Sequence, residues 1–162
     1  MFYIVIVLLL LITFGILFYS KYSFLKDINE KLNISLNRIK ELVFFKESKI
    51  KEILDVINDD KYNYRYEHID LDFVDKENEI FILFWDLKKD LKNNKKVKNI
   101  IIDVEKNEND LEGLKDYYNC NVNLYNEIYE KMPFNILFKL FKFENKKLFE
   151  SKKIEDFEIL KD

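Results

Sequence analysis

Residues 25–57 read LKDINEKLNISLNRIKELVFFKESKIKEILDVI. Within them Leu25, Ile28, Leu32, Leu36, Ile39, Leu42, Val43, Ile50, Ile53 and Ile57 recur in steps of mostly three and four. That period paints one apolar stripe along an α-helix. Asn58, Asp59 and Asp60 end the pattern, so the spacing predicts a helix to about Asn58.

Upstream, Phe2 to Tyr19 carries no charged residue. As a helix it spans about 27 Å at ~1.5 Å per residue, close to the ~30 Å hydrocarbon thickness of a bilayer. Tyr3 and Tyr19 stand at its ends, where amphipathic rings suit the headgroup level, and Lys21 follows. A cleaved secretory signal would carry a basic stretch before the apolar run and a small-x-small site after it. Neither is present, and cleavage after Ser20 would place Phe18 where a small residue is needed. The expectation is a retained anchor that continues into the first helix. Lys21, Lys26 and Lys31 follow the span and no basic residue precedes it, which predicts a cytoplasmic C-terminal domain.

Downstream, residues 59–72, with Tyr62, Tyr64 and Tyr66 at alternate positions, read as a long polar connection. Asp72 is a predicted N-cap and Asp75 a favourable charge in the first turn of a second helix. That helix turns Phe73, Ile80, Phe81, Phe84, Leu87 and Leu91 inward and ends near Asn93 and Asn94. The connection after it is short, so its successor is expected antiparallel to it. Val97, Ile100, Ile101, Val104, Leu111, Leu114, Tyr118, Val122, Tyr125, Tyr129 and Met132 then keep helical spacing for about ten turns, to a stop at Pro133. Gly113 inside this helix is expected to let a neighbouring helix approach. A short fourth helix over about 134–142 and an extended tail over 143–162 complete the path.

Composition agrees. Only 2 Gly and 1 Pro punctuate 162 residues, too few turn formers for a many-stranded sandwich or barrel. Ala and Gln are absent while Lys, Asn, Ile, Phe and Tyr abound, a bias that empties aromatic richness of functional meaning. A net charge of −3 from 27 basic and 30 acidic residues, mixed along the chain, offers no basic arm, and nucleic acid is not an expected partner.

The stretch from Leu111 to Phe149 reads LEGLKDYYNCNVNLYNEIYEKMPFNILFKLFKFENKKLF. It resembles the signature of the LemA family of membrane-anchored helical proteins. The family's Tyr-Asn pairs appear as Tyr118-Asn119 and Tyr125-Asn126, its proline turn as Pro133 with Asn135, and its Phe-x-Phe region as Phe141 and Phe143. Glu108 stands where the family has an acidic residue, and Lys115 where it carries arginine. The resemblance is strongest over 108–149 and implies an anchor followed by a helical bundle, with no defined chemistry. Independently of the name, pairs seven residues apart return to one helix face after two turns. The two tyrosines then form a polar-edged seam whose asparagine amides can hold the backbone of a neighbouring segment. That seam is expected to fix the register of the fourth helix around Pro133.

Other residues carry weaker signals. His68 is the sole histidine, and a metal site needs several converging ligands. Asp59, Asp60, Asp70, Asp72 and Asp75 lack the calcium-loop spacing and its central glycine. Cys120 permits no internal disulfide and is expected to pack as a small apolar residue. Lys88, Lys89, Lys92, Lys95, Lys96 and Lys98 cluster at the second turn and read as solvated.

The sequence thus predicts an all-α protein: a transmembrane anchor over 1–20, an antiparallel three- to four-helix bundle over 21–145 running up-down-up, and a tail over 146–162. The expected partners are the lipid bilayer through residues 2–19 and a protein partner or a second copy. No catalytic residue, cofactor or metal is expected, and Glu108, Lys115, Tyr118, Asn119, Tyr125, Asn126, Pro133 and Asn135 are structural motif residues. The rival reading is an accessory that tethers a catalytic partner at the membrane, or an enzyme whose Glu108 and Lys115 converge with His68.

Overall fold

The computed structural model describes residues 2–69, 71–131, 135, 139 and 141–149. Among them are four helices and no strand: α1 (Phe2–Ile57), α2 (Asp60–Glu67), α3 (Phe73–Asp90) and α4 (Lys98–Glu130). They form an all-helical bundle whose parts group into two compact units.

One unit comprises the described residues of Asn37–Asp116 with Phe149. Its core is Ile50, Ile53, Leu54, Tyr62, Ile80, Leu83, Phe84, Leu87, Val97, Ile101 and Val104. At the start of α3, Lys40 Nζ sits 5.6 Å from the centre of the Phe73 ring and Lys76 Nζ lies 3.0 Å from Glu47. At its other end, Tyr62 donates to the Asp90 carboxylate and Arg65 lies 2.5 Å from Asp86. These pairings lay α2 antiparallel to α3 and run α3 in the same direction as α1. Ion pairs from Lys88 to Glu105 and from Lys115 to Glu77 then set α4 antiparallel to α3. The path is out, back, out and back, and consecutive helices are antiparallel.

Two expectations are corrected here. Residues 59–72 are not one long connection, because Asp59 accepts from the Lys61 amide as the N-cap of α2, with Asp60 in its first turn and Arg65 in its last. Asn58, at a φ of 48°, makes the left-handed break that separates α2 from α1. Because α2 provides a return leg, the three long helices do not alternate up-down-up. The lysine-rich turn after α3 therefore packs at the Ile57 end of α1. The Asp72 cap is as expected, its carboxylate accepting from the amides of Val74 and Asp75.

The other unit comprises the described residues of Met1–Leu36 and Tyr117–Leu148. Leu25, Ile28 and Leu32 of α1 and Tyr118, Val122, Tyr125 and Tyr129 of α4 are buried in it. Ser35 occupies the next stripe position, its hydroxyl satisfied by the Lys31 carbonyl at 2.9 Å. Residues 2–17 are exposed on every face. Past α4, the rings of Phe141 and Phe143 lie 5.4 Å and 5.8 Å from Tyr22, and Phe141 lies 6.0 Å from Phe18. Residues 143–148 carry no helix, as expected of the tail. The expected fourth helix lies outside the described residues except at Asn135, Lys139 and the turn at Phe141 and Lys142. Pro133 and the tail from 150 onward also lie outside them.

Candidate functional site

The apolar stripes of three helices open in steps of seven at Val43 to Ile50 in α1, Phe73 to Ile80 in α3 and Val104 to Leu111 in α4, and between Leu111 and Tyr118 only the half-buried Leu114 intervenes. Helical spacing demands an inward residue within each gap. Those places are taken by Lys46, Glu77, Glu108 and Lys115, all 2% exposed or less.

The four side chains meet inside the first unit. Lys46 Nζ donates to Glu77 Oε1 at 3.0 Å and lies 2.5 Å from Glu108 Oε1. Lys115 Nζ lies 2.8 Å from Glu77 Oε2 and donates to Glu112 Oε1 at 2.9 Å. Both ammonium groups flank the Phe81 ring, 5.7 Å and 5.9 Å from its centre. Glu77 is thus held by two cations. Glu108 has one, shared with Glu77, and its Oε2 is buried without a hydrogen-bond partner among the described residues.

The electrostatics follow that asymmetry. Burial pushes both carboxyls up, because it disfavours the charged form. At Glu77 the two lysines overcome burial and hold the group below the usual carboxylate range. At Glu108 burial wins over the pull of Lys46, and the negative Glu77 adds to it, so the group is raised. Burial pulls Lys115 down, but Glu77 and Glu112 outweigh it and keep the ammonium raised. The set is a charge-balanced core network, closed to solvent at each of its four members.

Glu108 and Lys115 were anticipated from sequence, whereas Lys46 and Glu77 were not. Their signal was the charged residue inside each seven-residue gap, which a count of apolar positions passes over. His68 is no part of the cluster; it stacks on Tyr64 with ring centres 3.9 Å apart, exposed, with Nδ1 2.7 Å from the Tyr64 carbonyl. Among the described residues no group of His, Cys, Asp and Glu side chains converges as a metal site.

The Tyr-Asn seam lies in the other unit. Tyr118 and Tyr125 are buried and Asn119 and Asn126 half-buried. Burial raises the Tyr118 hydroxyl and pushes that of Tyr125 up to about 12. Tyr125 stacks nearly parallel on Tyr129, with Lys146 Nζ over its ring at 5.8 Å. Asn126 Nδ2 donates to the Lys146 carbonyl and its Oδ1 accepts from the Lys146 amide, both at 3.1 Å. The asparagine does hold backbone, that of the tail at Lys146; the expected register of the fourth helix around Pro133 lies outside the described residues. Asn135 is half-buried, its amide donating to the Lys131 carbonyl at 3.1 Å.

Two expectations on α4 fail. Cys120 is exposed, not packed. At about 100° per residue it points some 200° away from the buried Tyr118. Among the described residues nothing approaches Gly113 within 4 Å of where a Cβ would stand, and no neighbouring helix packs on it there.

Fold and site together define a helical bundle behind an apolar N-terminal helix, with a sealed ionic core and a tail clipped to its last long helix. Residues 74–159, over half of the chain, match the model of the LemA family, and the chain belongs to that family. The match takes in Glu77, Glu108, Lys115 and both Tyr-Asn pairs; Lys46 lies before it. No curated protein and no solved structure matches the chain.

Proposed function

We propose that this LemA-family chain is a single-pass membrane protein whose helical bundle acts as a non-enzymatic scaffold, facing the cytoplasm. The observation that carries the reading is the bare apolar start of α1: mean hydropathy reaches 2.8 over an 18-residue window with none of it buried. A helix apolar on every face needs an apolar surrounding, and a window of this length matches the bilayer core. The lack of a small-x-small site after the run, with Phe18 where cleavage after Ser20 would need a small residue, argues for retention over processing as a signal. Lys21, Lys26 and Lys31 support the cytoplasmic side.

The scaffold reading draws support from the ionic cluster. Catalysis requires reacting groups that a substrate can reach, and the four cluster side chains are sealed by their own helices. Their chemistry suits fixing one packing arrangement. The experiment is fractionation of cells expressing the tagged chain, followed by an alkaline wash. The chain is expected to stay with the membrane pellet and to keep residues 1–20. Release into the wash, or a mature chain that begins after Ser20, overturns the anchor.

A further inference from the structure

The segment after α4 returns to the point where α1 leaves its apolar window. Lys139 and Lys142 close a turn, the Lys142 amide donating to the Lys139 carbonyl at 3.0 Å. Between them Phe141 remains 52% exposed although its ring packs against Phe18 and Tyr22. Phe18 stands three residues before Lys21, the first charge of the chain, and Tyr22 lies one helical turn beyond it. Phe141 is therefore level with the end of the apolar window, with Lys139, Lys142 and Lys21 exposed around it. Residues 131–149 contain five lysines and a single acidic residue, Glu144.

We propose that the Lys139–Lys142 turn is a second membrane contact, which seats Phe141 in the headgroup layer and lays Lys139 and Lys142 against anionic lipid. The proposal rests on the reading of α1 as the membrane anchor. An aromatic ring held at the end of a membrane span occupies the interfacial level that such rings favour. Lysines beside it match the negative surface potential of the cytoplasmic leaflet, whose attraction fades within a Debye length of ~8 Å. Packing on Phe18 and Tyr22 keeps the turn inside that range, and exposure leaves half of the Phe141 ring for lipid to cover. The anchor fixes the depth, and the turn sets how the bundle leans on the surface.

The test uses the full chain in vesicles of phosphatidylcholine alone or mixed with phosphatidylglycerol, each doped with lipid brominated near the top of the acyl chain. Trp85→Phe removes the native indole, and Phe141→Trp supplies a shallow reporter. Its emission is expected to shift to the blue and to lose intensity to the brominated lipid, more strongly with phosphatidylglycerol. Adding Lys139→Gln and Lys142→Gln is expected to weaken that contact about fivefold per lysine. Phe14→Trp, within the apolar window, is the reference for the anchor. Quenching at position 14 with none at 141 overturns the second contact and leaves the anchor standing. Quenching at neither overturns both. A fluorophore on Lys142→Cys in a Cys120→Ser chain reads the same depth without altering the ring cluster, and insensitivity of that probe to lipid also overturns the proposal.

Discussion

Glu77 on α3 and Lys46 on α1 stand 3.0 Å apart with neither side chain more than 1% exposed, thirty-one residues apart in the chain. Because Lys115 reaches the other oxygen of the same carboxylate, Glu77 bridges two buried cations at once. Breaking a buried pair from one side leaves an uncompensated charge and typically costs about 3 to 5 kcal/mol. Glu77→Gln is therefore expected to lose about that much stability, read as a fall in the denaturant midpoint of the detergent-solubilised chain. A loss below about 1 kcal/mol, the range of an exposed pair, would show that the cluster is solvated in solution.

Glu108 is expected to behave in the opposite way. Its folded-state value is raised above the ordinary 4.5, first by burial, so the native state holds the proton at pH values where the unfolded chain has released it. Stability from this group is fullest below 4.5 and is lost as pH rises through the folded-state value. Glu77 is lowered, so its contribution is present above 4.5 and is lost as pH falls through its folded-state value. Glu108→Gln keeps shape and polarity while removing a carboxylate whose second oxygen has no partner among the described residues. It is expected to equal the parent at pH 4 and to exceed it by about 1 to 2 kcal/mol at pH 7. Denaturant midpoints across that range decide it, and a variant weaker than the parent at pH 7 would mean that the Lys46–Glu108 attraction outweighs burial.

The legible and illegible parts divide along physical lines. The end of α1, the Asp72 cap, and the existence and direction of α4 relative to α3 follow from local periodicity and capping, which act within a few residues. α2 is eight residues long, shorter than the roughly 12 to 15 that make an isolated helix marginal. It is secured by Tyr62 on Asp90 and Arg65 on Asp86, tertiary contacts with no local trace. Missing α2 also reversed the direction of α3. Lys46 and Glu77 are charged side chains at inward stripe positions, and apolar periodicity carries no trace of them. Cys120 needed no structure, since two residues beyond Tyr118 is the opposite helix face.

That exposure has a chemical consequence. Access decides whether a cysteine meets a reagent at all, and Cys120 is on the outer face of α4. A maleimide is expected to modify it in the native chain at a rate close to that of the denatured chain. Protection by an order of magnitude or more would show that a second copy or a partner covers this face.

The Asn126–Lys146 exchange predicts how the tail is secured. One side chain satisfies both backbone groups of Lys146, holding a segment that has no helix of its own to satisfy them. Asn126→Ala removes both bonds and is expected to cost about 1 to 3 kcal/mol. The cost should fall first on the tail, through faster trypsin cleavage after Lys146 and Lys147 and faster exchange of the Lys146 amide. Asn126→Asp keeps the acceptor for that amide and loses the donor to its carbonyl, so it should cleave at an intermediate rate. Equal rates for all three chains would show that the tail is held by Phe143 and its ring contacts with Tyr22 and Tyr125 instead.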